Sequence, residues 1–220
     1  MKDWVAVHEQ SQPEANMAEE TTSTSVYRNG HEIECWLTDM DGVLVHENQA
    51  IPPGAAELIQ RWVDTSKRFL VLTNNSIFTP RDLAARLRAS GLEVPPEENI
   101  WTSALATAQF LKDQVQSSDS GNRAYTIGEA GLTTALHEAG FILTDTDPDF
   151  VVLGETRTYS FEAITMAVRH ILAGARFIAT NPDATGPSKD GPHARDRCHR
   201  GHDHQSHGPR AVHCGQAKPP

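Results

Sequence analysis

From Ile33 onward, short apolar runs alternate with stripes of helical period. Ile33–Leu37, Phe69–Thr73, Ile100–Thr102, Ala124–Ile127, Phe150–Leu153 and Arg176–Thr180 read as buried strands. Between them lie helices. Pro53 opens one with Ala55, Leu58, Ile59 and Trp62 on one stripe. Thr79-Pro80-Arg81-Asp82 reads as N-cap, N1 proline and acidic N3; Leu83 and Leu87 face inward and Gly91 closes the helix. A third helix runs from Ser103 to near Val115. Two more cover about Gly131–Ala139 and Ser160–Ala173, the latter with Phe161, Ile164, Val168 and Ile171 on one face. This alternation predicts a parallel α/β sheet.

The ends of the chain lack such patterning. Residues 1–30 are polar and rich in Glu, Ser and Thr, and read as a disordered extension in which Met17 is an alternative start. Ser117–Asn122 reads as a linker. His193–Pro220 has almost no apolar residues beyond alanine and Val212, too few to offset the entropy of ordering it.

Candidate chemistry concentrates at the end of the first strand. In Thr38-Asp39-Met40-Asp41-Gly42, the two aspartates stand two residues apart, so an extended chain turns both carboxylates to one face. Two like charges that close call for a cation between them, and hard oxygen ligands suit Mg²⁺. Gly42 lets the chain turn away sharply. An exposed acidic turn accounts for the same residues equally well. Thr73 doubles as a strand terminator, and Asn74-Asn75 as an ordinary turn pair.

Charge and cysteines narrow the class. The formal charge of −10 argues against a nucleic-acid partner. From His193 onward five Lys/Arg stand against two Asp/Glu, so residues 1–192 carry −13. No apolar run is long enough for a membrane span, and residues 1–20 lack a signal peptide's apolar core; a cytoplasmic location is expected. Cys35, Cys198 and Cys214 give no disulfide framework, and Cys35 reads as a small core residue.

Asp-Met-Asp-Gly-Val-Leu at 39–44 resembles the first motif of the haloacid dehalogenase superfamily, and Leu72-Thr73-Asn74-Asn75-Ser76 resembles its second. Tyr125–Glu129, Pro148–Glu155 and Phe177–Asp183 are similar to the cap of the NagD-like phosphatases within it. The resemblance covers residues 32–192 and rests on five blocks in family order. It implies a parallel Rossmann-like core, here incomplete, with an inserted α/β cap. Expected boundaries are 1–31 for the extension, 32–116 for the first part of the core, 117–191 for the cap and 192–220 for a disordered tail.

The resemblance further implies a Mg²⁺-dependent phosphomonoester hydrolase acting through an aspartyl-phosphate. Asp39 takes the role of nucleophile and Asp41 that of general acid and base. Asp39 and Asp41 hold the metal, while Thr73 and the amides of Asn74 and Asn75 bind the phosphoryl group. Asn181 and Asp183 read equally as lining the cap's substrate face or as a simple turn. The expected partner is a small phosphorylated metabolite such as a nucleotide or sugar phosphate, with homo-oligomers through the cap.

Departures from the family pattern lie in the tail. The lysine that steadies the aspartyl-phosphate and the later acidic motif are not found at their places. Read one base later with third bases left free, the codons of Gly208–Pro219 permit Val-Gly-Lys-Pro, the family's lysine motif. A frame slip near Pro192 is therefore expected, and with it negligible turnover. Two other readings compete: a non-catalytic pseudo-phosphatase, and a metal-binding tail using Cys198, His199, His202, His204, His207, His213 and Cys214.

Overall fold

The computed structural model describes residues 27–28, 31–46, 49–51, 54–92, 97–116, 121–181, 185–186, 193–194 and 212–213 of the chain. Met1–Ile33 and Glu34–Pro220 form two compact units. In the first, Tyr27–Arg28 pairs antiparallel with His31–Glu32. The rest of the expected extension, Met17 included, lies outside the described residues.

The second unit carries two parallel sheets. The first contains β1 (Cys35–Asp39), β2 (Arg68–Thr73) and β3 (Ile100–Thr102), in the order β1-β2-β3. The second contains β4 (Arg123–Ile127), β5 (Ile142–Leu143), β6 (Phe150–Leu153), β7 (Arg176–Ala179) and β8 (Val212–His213), in the order β8-β7-β6-β4-β5. The helices are α1 (Ala55–Asp64), α2 (Pro80–Ala89), α3 (Ser103–Gln116), α4 (Ala130–Glu138) and α5 (Phe161–Leu172). Mixed α/β architecture with parallel pairing is what the strand–helix alternation predicts.

Local chemistry explains the element starts. Thr79 Oγ1 accepts from the Asp82 N–H at 3.2 Å, while Asp82 Oδ2 accepts from the Thr79 N–H at 3.3 Å. This reciprocal cap satisfies two donors that the first helical turn leaves unpaired. Pro80 follows at N1, where its missing N–H costs nothing. The helix ends at Gly91, whose φ of +96° an L side chain rarely adopts.

Packing separates the two sheets. Around the first, Trp62 of α1 stacks on Trp36 at 5.6 Å and tilts against Phe69 at 5.3 Å. Ile59, Val71, Leu83 and Leu87 complete that core. Around the second, α3 and α4 cover one face: Ala104, Ala108, Leu111, Leu132 and Leu136 pack with Phe150, Val152 and Ile178. On the other face, Ala167, Ile164 and Ile171 of α5 meet Ile127, Val151 and Leu153.

Four expectations are corrected. Leu58 is exposed, because α1 turns Ile59 and Trp62 to the sheet instead. Cys35 is exposed and not in the core: Cys35, Leu37 and Asp39 alternate onto the uncovered face of β1, leaving Leu37 64% exposed. On α5 the inward stripe is Ile164, Ala167 and Ile171; Phe161 and Val168 are exposed, Phe161 by 87%. The tail, expected to carry no strand, contributes His193–Ala194, paired with Thr185–Gly186, and Val212–His213, paired in parallel with β7. The edge of β7 offers backbone groups that an extended segment can pair with. The remaining tail residues, including Cys198, His199, His202, His204, His207 and Cys214, lie outside the described residues, as does Pro53. Among the described residues no helix is long and apolar enough to cross a membrane.

Candidate active site

The parallel pairing of β1 with β2 sets Asp39 opposite Leu72, and the Met40 N–H continues the ladder onto the Leu72 carbonyl at 3.1 Å. Beyond this point the chain leaves the sheet. Met40 is buried while Asp39 and Asp41 are exposed, so the alternation expected of a strand persists through the turn. The Leu44 and Val45 N–H groups both donate to the Met40 carbonyl, and Gly42 N–H donates to Val45 O at 2.8 Å. Gly42 supplies the positive φ, +82°, that closes this loop.

Thr73 ends β2 beside these carboxylates. It is 3% exposed, and its Oγ1 lies 3.5 Å from Asp41 Oδ2 as donor. The same oxygen accepts from the Asn75 N–H at 3.1 Å. Asn75 then folds the following turn on itself: its Oδ1 accepts from the Ile77 N–H at 3.0 Å and the Phe78 N–H at 2.9 Å. Asp39 Oδ1 accepts from the Met40 N–H at 2.9 Å.

The structure therefore brings Asp39, Asp41, Thr73, Asn74 and Asn75 to the carboxyl ends of two adjacent parallel strands. That is where open α/β sheets bind ligands. One detail differs from expectation. The Asn75 backbone N–H is committed to Thr73 Oγ1, and its side-chain oxygen to the turn, so the donor it can present to a ligand is Nδ2. Asn181 stands at the carboxyl end of the second sheet, 2% exposed. Asp183 lies outside the described residues.

Three supporting residues were not singled out by sequence reasoning. Ser103, the first residue of α3, donates its hydroxyl to Asn74 O at 2.8 Å. Ser76, fully buried, accepts from the Glu155 N–H at 2.8 Å. Gly131 N–H donates to Ile77 O at 2.8 Å. A serine directly after a strand and opening a helix was the legible signal for Ser103. Gly-Glu at 154–155, after an apolar run, marks the loop that meets Ser76.

The donor set suits a hard divalent cation. Its groups are carboxylate, hydroxyl and amide, without thiol or imidazole, and the two aspartates are the exposed ones. Among the described residues no three His, Cys, Asp or Glu side chains are grouped to cage a metal. Mg²⁺ needs no such cage, since it keeps several waters and binds through one or two carboxylates plus substrate phosphate.

The haloacid dehalogenase-like hydrolase family matches residues 36–142. The chain is 65% identical over 156 residues to a dihydroxyacetone phosphatase of Corynebacterium glutamicum, covering 71% of this chain and 54% of that protein. It is 45% identical over 150 residues to the ribonucleotide monophosphatase NagD of Escherichia coli, covering 68% and 57%. It thus spans somewhat over half the length of these relatives. The solved structure of NagD from E. coli superposes with a TM-score of 0.67 at 41% identity, covering 76% of this chain and 62% of that one.

Proposed function

We propose that this chain, which over residues 36–142 belongs to the haloacid dehalogenase-like hydrolases, carries the nucleophile, acid–base and phosphate-binding groups of a phosphomonoester hydrolase. The observation that carries the reading is the approach of Thr73 Oγ1 to Asp41 Oδ2, one residue beyond the Asp39–Leu72 register. It puts a hydroxyl donor and two carboxylates at one sheet end.

Asp39 attacks the substrate phosphorus in line while the bond from phosphorus to the leaving oxygen breaks, giving an aspartyl-phosphate. Asp41 gives its proton to the leaving oxygen. Water then attacks the phosphorus and Asp41 takes its proton. The bond from phosphorus to Asp39 breaks, which restores the carboxylate and releases inorganic phosphate. Thr73 Oγ1, its proton turned from Asp41 to the substrate, the Asn74 N–H and Asn75 Nδ2 hydrogen-bond the phosphoryl oxygens. Asp39, through its carboxylate, and Asp41, through its backbone carbonyl, would hold Mg²⁺. When bound, that ion offsets phosphate charge and fixes the approach.

The relatives' names support a small phosphorylated metabolite as substrate, a triose phosphate ahead of a nucleotide given the higher identity of the first. Asn181, at the carboxyl end of the second sheet, is the cap residue assigned to its leaving group. Turnover by the chain is slow unless a lysine outside the described residues reaches Asp39. Its described lysines, Lys67 and Lys112, sit before the amino end of β2 and well along α3, away from Asp39. One such electrostatic donor is worth about 10²–10³ in rate.

The test does not depend on turnover. Beryllium fluoride mimics phosphate on a carboxylate. With Mg²⁺ it should give an aspartyl adduct visible by ¹⁹F NMR, lost on chelating the metal and lost in Asp39→Asn. No adduct in the wild-type chain, or an undiminished one in Asp39→Asn, overturns the reading.

A further inference from the structure

We infer that Ser76 is a positioning residue: its hydroxyl locks the phosphate-facing turn onto the carboxyl end of β6. The inference rests on the assignment of Asp39 and Thr73 to phosphate chemistry, and it adds a role for the second sheet in that chemistry.

The contact is built at close quarters. Ser76 is 0% exposed, and its Oγ accepts from the Glu155 N–H at 2.8 Å across 79 residues of sequence. Gly154 makes the approach possible. A Cβ there would lie 3.3 Å from Ser76 Oγ and 2.7 Å from Leu132 Cδ2. Gly131 approaches from the other side, donating to Ile77 O; a Cβ on it would lie 2.7 Å from Ser76 O and 2.5 Å from Phe78 O. The strand end is itself held, because Thr156 Oγ1 donates to Glu129 Oε1 at 2.6 Å.

From Ser76 the turn runs directly back to the carboxylates. Asn75, its neighbour, donates to Thr73 Oγ1, which donates to Asp41 Oδ2. The position of Ser76 therefore fixes where Asn74 and Asn75 present their donors. A turn anchored only through β2 would leave them free to drift. The second sheet thus sets the geometry of phosphate binding without touching phosphate.

The experiment uses the full chain, Mg²⁺ and beryllium fluoride, with adduct affinity read by ¹⁹F NMR in samples that circular dichroism finds folded. Ser76→Ala leaves the Glu155 N–H without its acceptor and should weaken the adduct about tenfold. Phe141→Leu, a packing change beneath the second sheet, lowers stability but should leave affinity within twofold. Equal affinity in Ser76→Ala and wild type overturns the inference. If Ser76→Ala does not fold, Gly154→Ala decides, since its Cβ presses on the same oxygen; wild-type affinity there is equally fatal. Backbone amide exchange of ligand-free protein provides a second readout. Ser76→Ala should speed exchange of the Asn75 N–H about tenfold, and an unchanged rate counts against the lock. If the wild-type chain forms no adduct, the phosphatase reading falls while exchange still decides on Ser76.

Discussion

The single peptide group joining Asn74 to Asn75 is held at both ends: its carbonyl accepts from Ser103 Oγ at 2.8 Å, and its N–H donates to Thr73 Oγ1 at 3.1 Å. One partner ends β2 and the other opens α3, so the plane of this peptide is set by the parallel pairing of β2 and β3. Ser103 is 4% exposed, and water cannot readily replace it. Ser103→Ala should therefore cost about 1–2 kcal/mol of stability, measured by urea unfolding. It should also weaken the beryllium fluoride adduct, because the peptide that presents the Asn75 side chain is no longer fixed. An unchanged adduct would assign Ser103 to stability alone.

Asn75 divides its side chain between two tasks, and two substitutions separate them. Its Oδ1 holds the Ile77 and Phe78 N–H groups, while Nδ2 is the donor that remains for a ligand. Asn75→Asp keeps the acceptor and should hold stability within about 1 kcal/mol of wild type. It replaces a donor with a negative charge, so the adduct should be strongly weakened. Asn75→Ala removes both and should cost about 1–3 kcal/mol as well. Equal adduct affinity in Asn75→Asp and wild type would take Asn75 out of the phosphate site.

Gly131 is the second residue of α4, and in a helix exchange of glycine for alanine ordinarily adds up to about 1 kcal/mol of propensity. Here the sign should reverse. The new Cβ would lie 2.5 Å from Phe78 O and 2.7 Å from Ser76 O, both backbone atoms of the turn. Neither can swing aside as a flexible side chain would. Overpacking of this kind costs about 1–3 kcal/mol, so a net loss is expected. A lowered urea midpoint for Gly131→Ala, with Gly131 N–H still protected from exchange, is the expected result. A raised midpoint would mean that the turn yields.

How much of this was legible follows from the range of each interaction. The capping box at Thr79–Asp82 is closed within four residues, and the sequence states it outright. Asp39 and Asp41 were legible for the same reason: a local alternation survives the turn because Met40 is apolar and stays inside. Cys35 and Leu37 are exposed although the strand is apolar, because an apolar run reads alike whether one face of it is covered or both, and only the packing of other elements decides that. The face of α5 was misread by one position, since Val168 and Ala167 fit neighbouring stripes and only the seating of Tyr125 and Ile127 beneath the helix selects between them. Ser76 could not be seen to meet Glu155, because nothing local reports a contact across 79 residues.

Tyr125 links the second sheet to α5, its hydroxyl donating to Ala163 O at 3.3 Å. Burial raises its pKa above the ordinary value of 10.0, and the negative charges of Asp145 and Glu162 raise it further. A phenol that holds its proton more tightly folded than unfolded leaves stability intact below pH about 10 and removes it as pH climbs past that value. The unfolded chain ionises first there, and a phenolate can no longer donate to Ala163. Urea midpoints should thus be level from pH 7 to 9 and fall from pH 10 to 11. In Tyr125→Phe the neutral-pH midpoint should drop slightly, by no more than about 1 kcal/mol for one lost hydrogen bond. The fall above pH 10 should then be visibly shallower. An identical fall in the variant would assign the alkaline loss to other groups and detach Tyr125 from it.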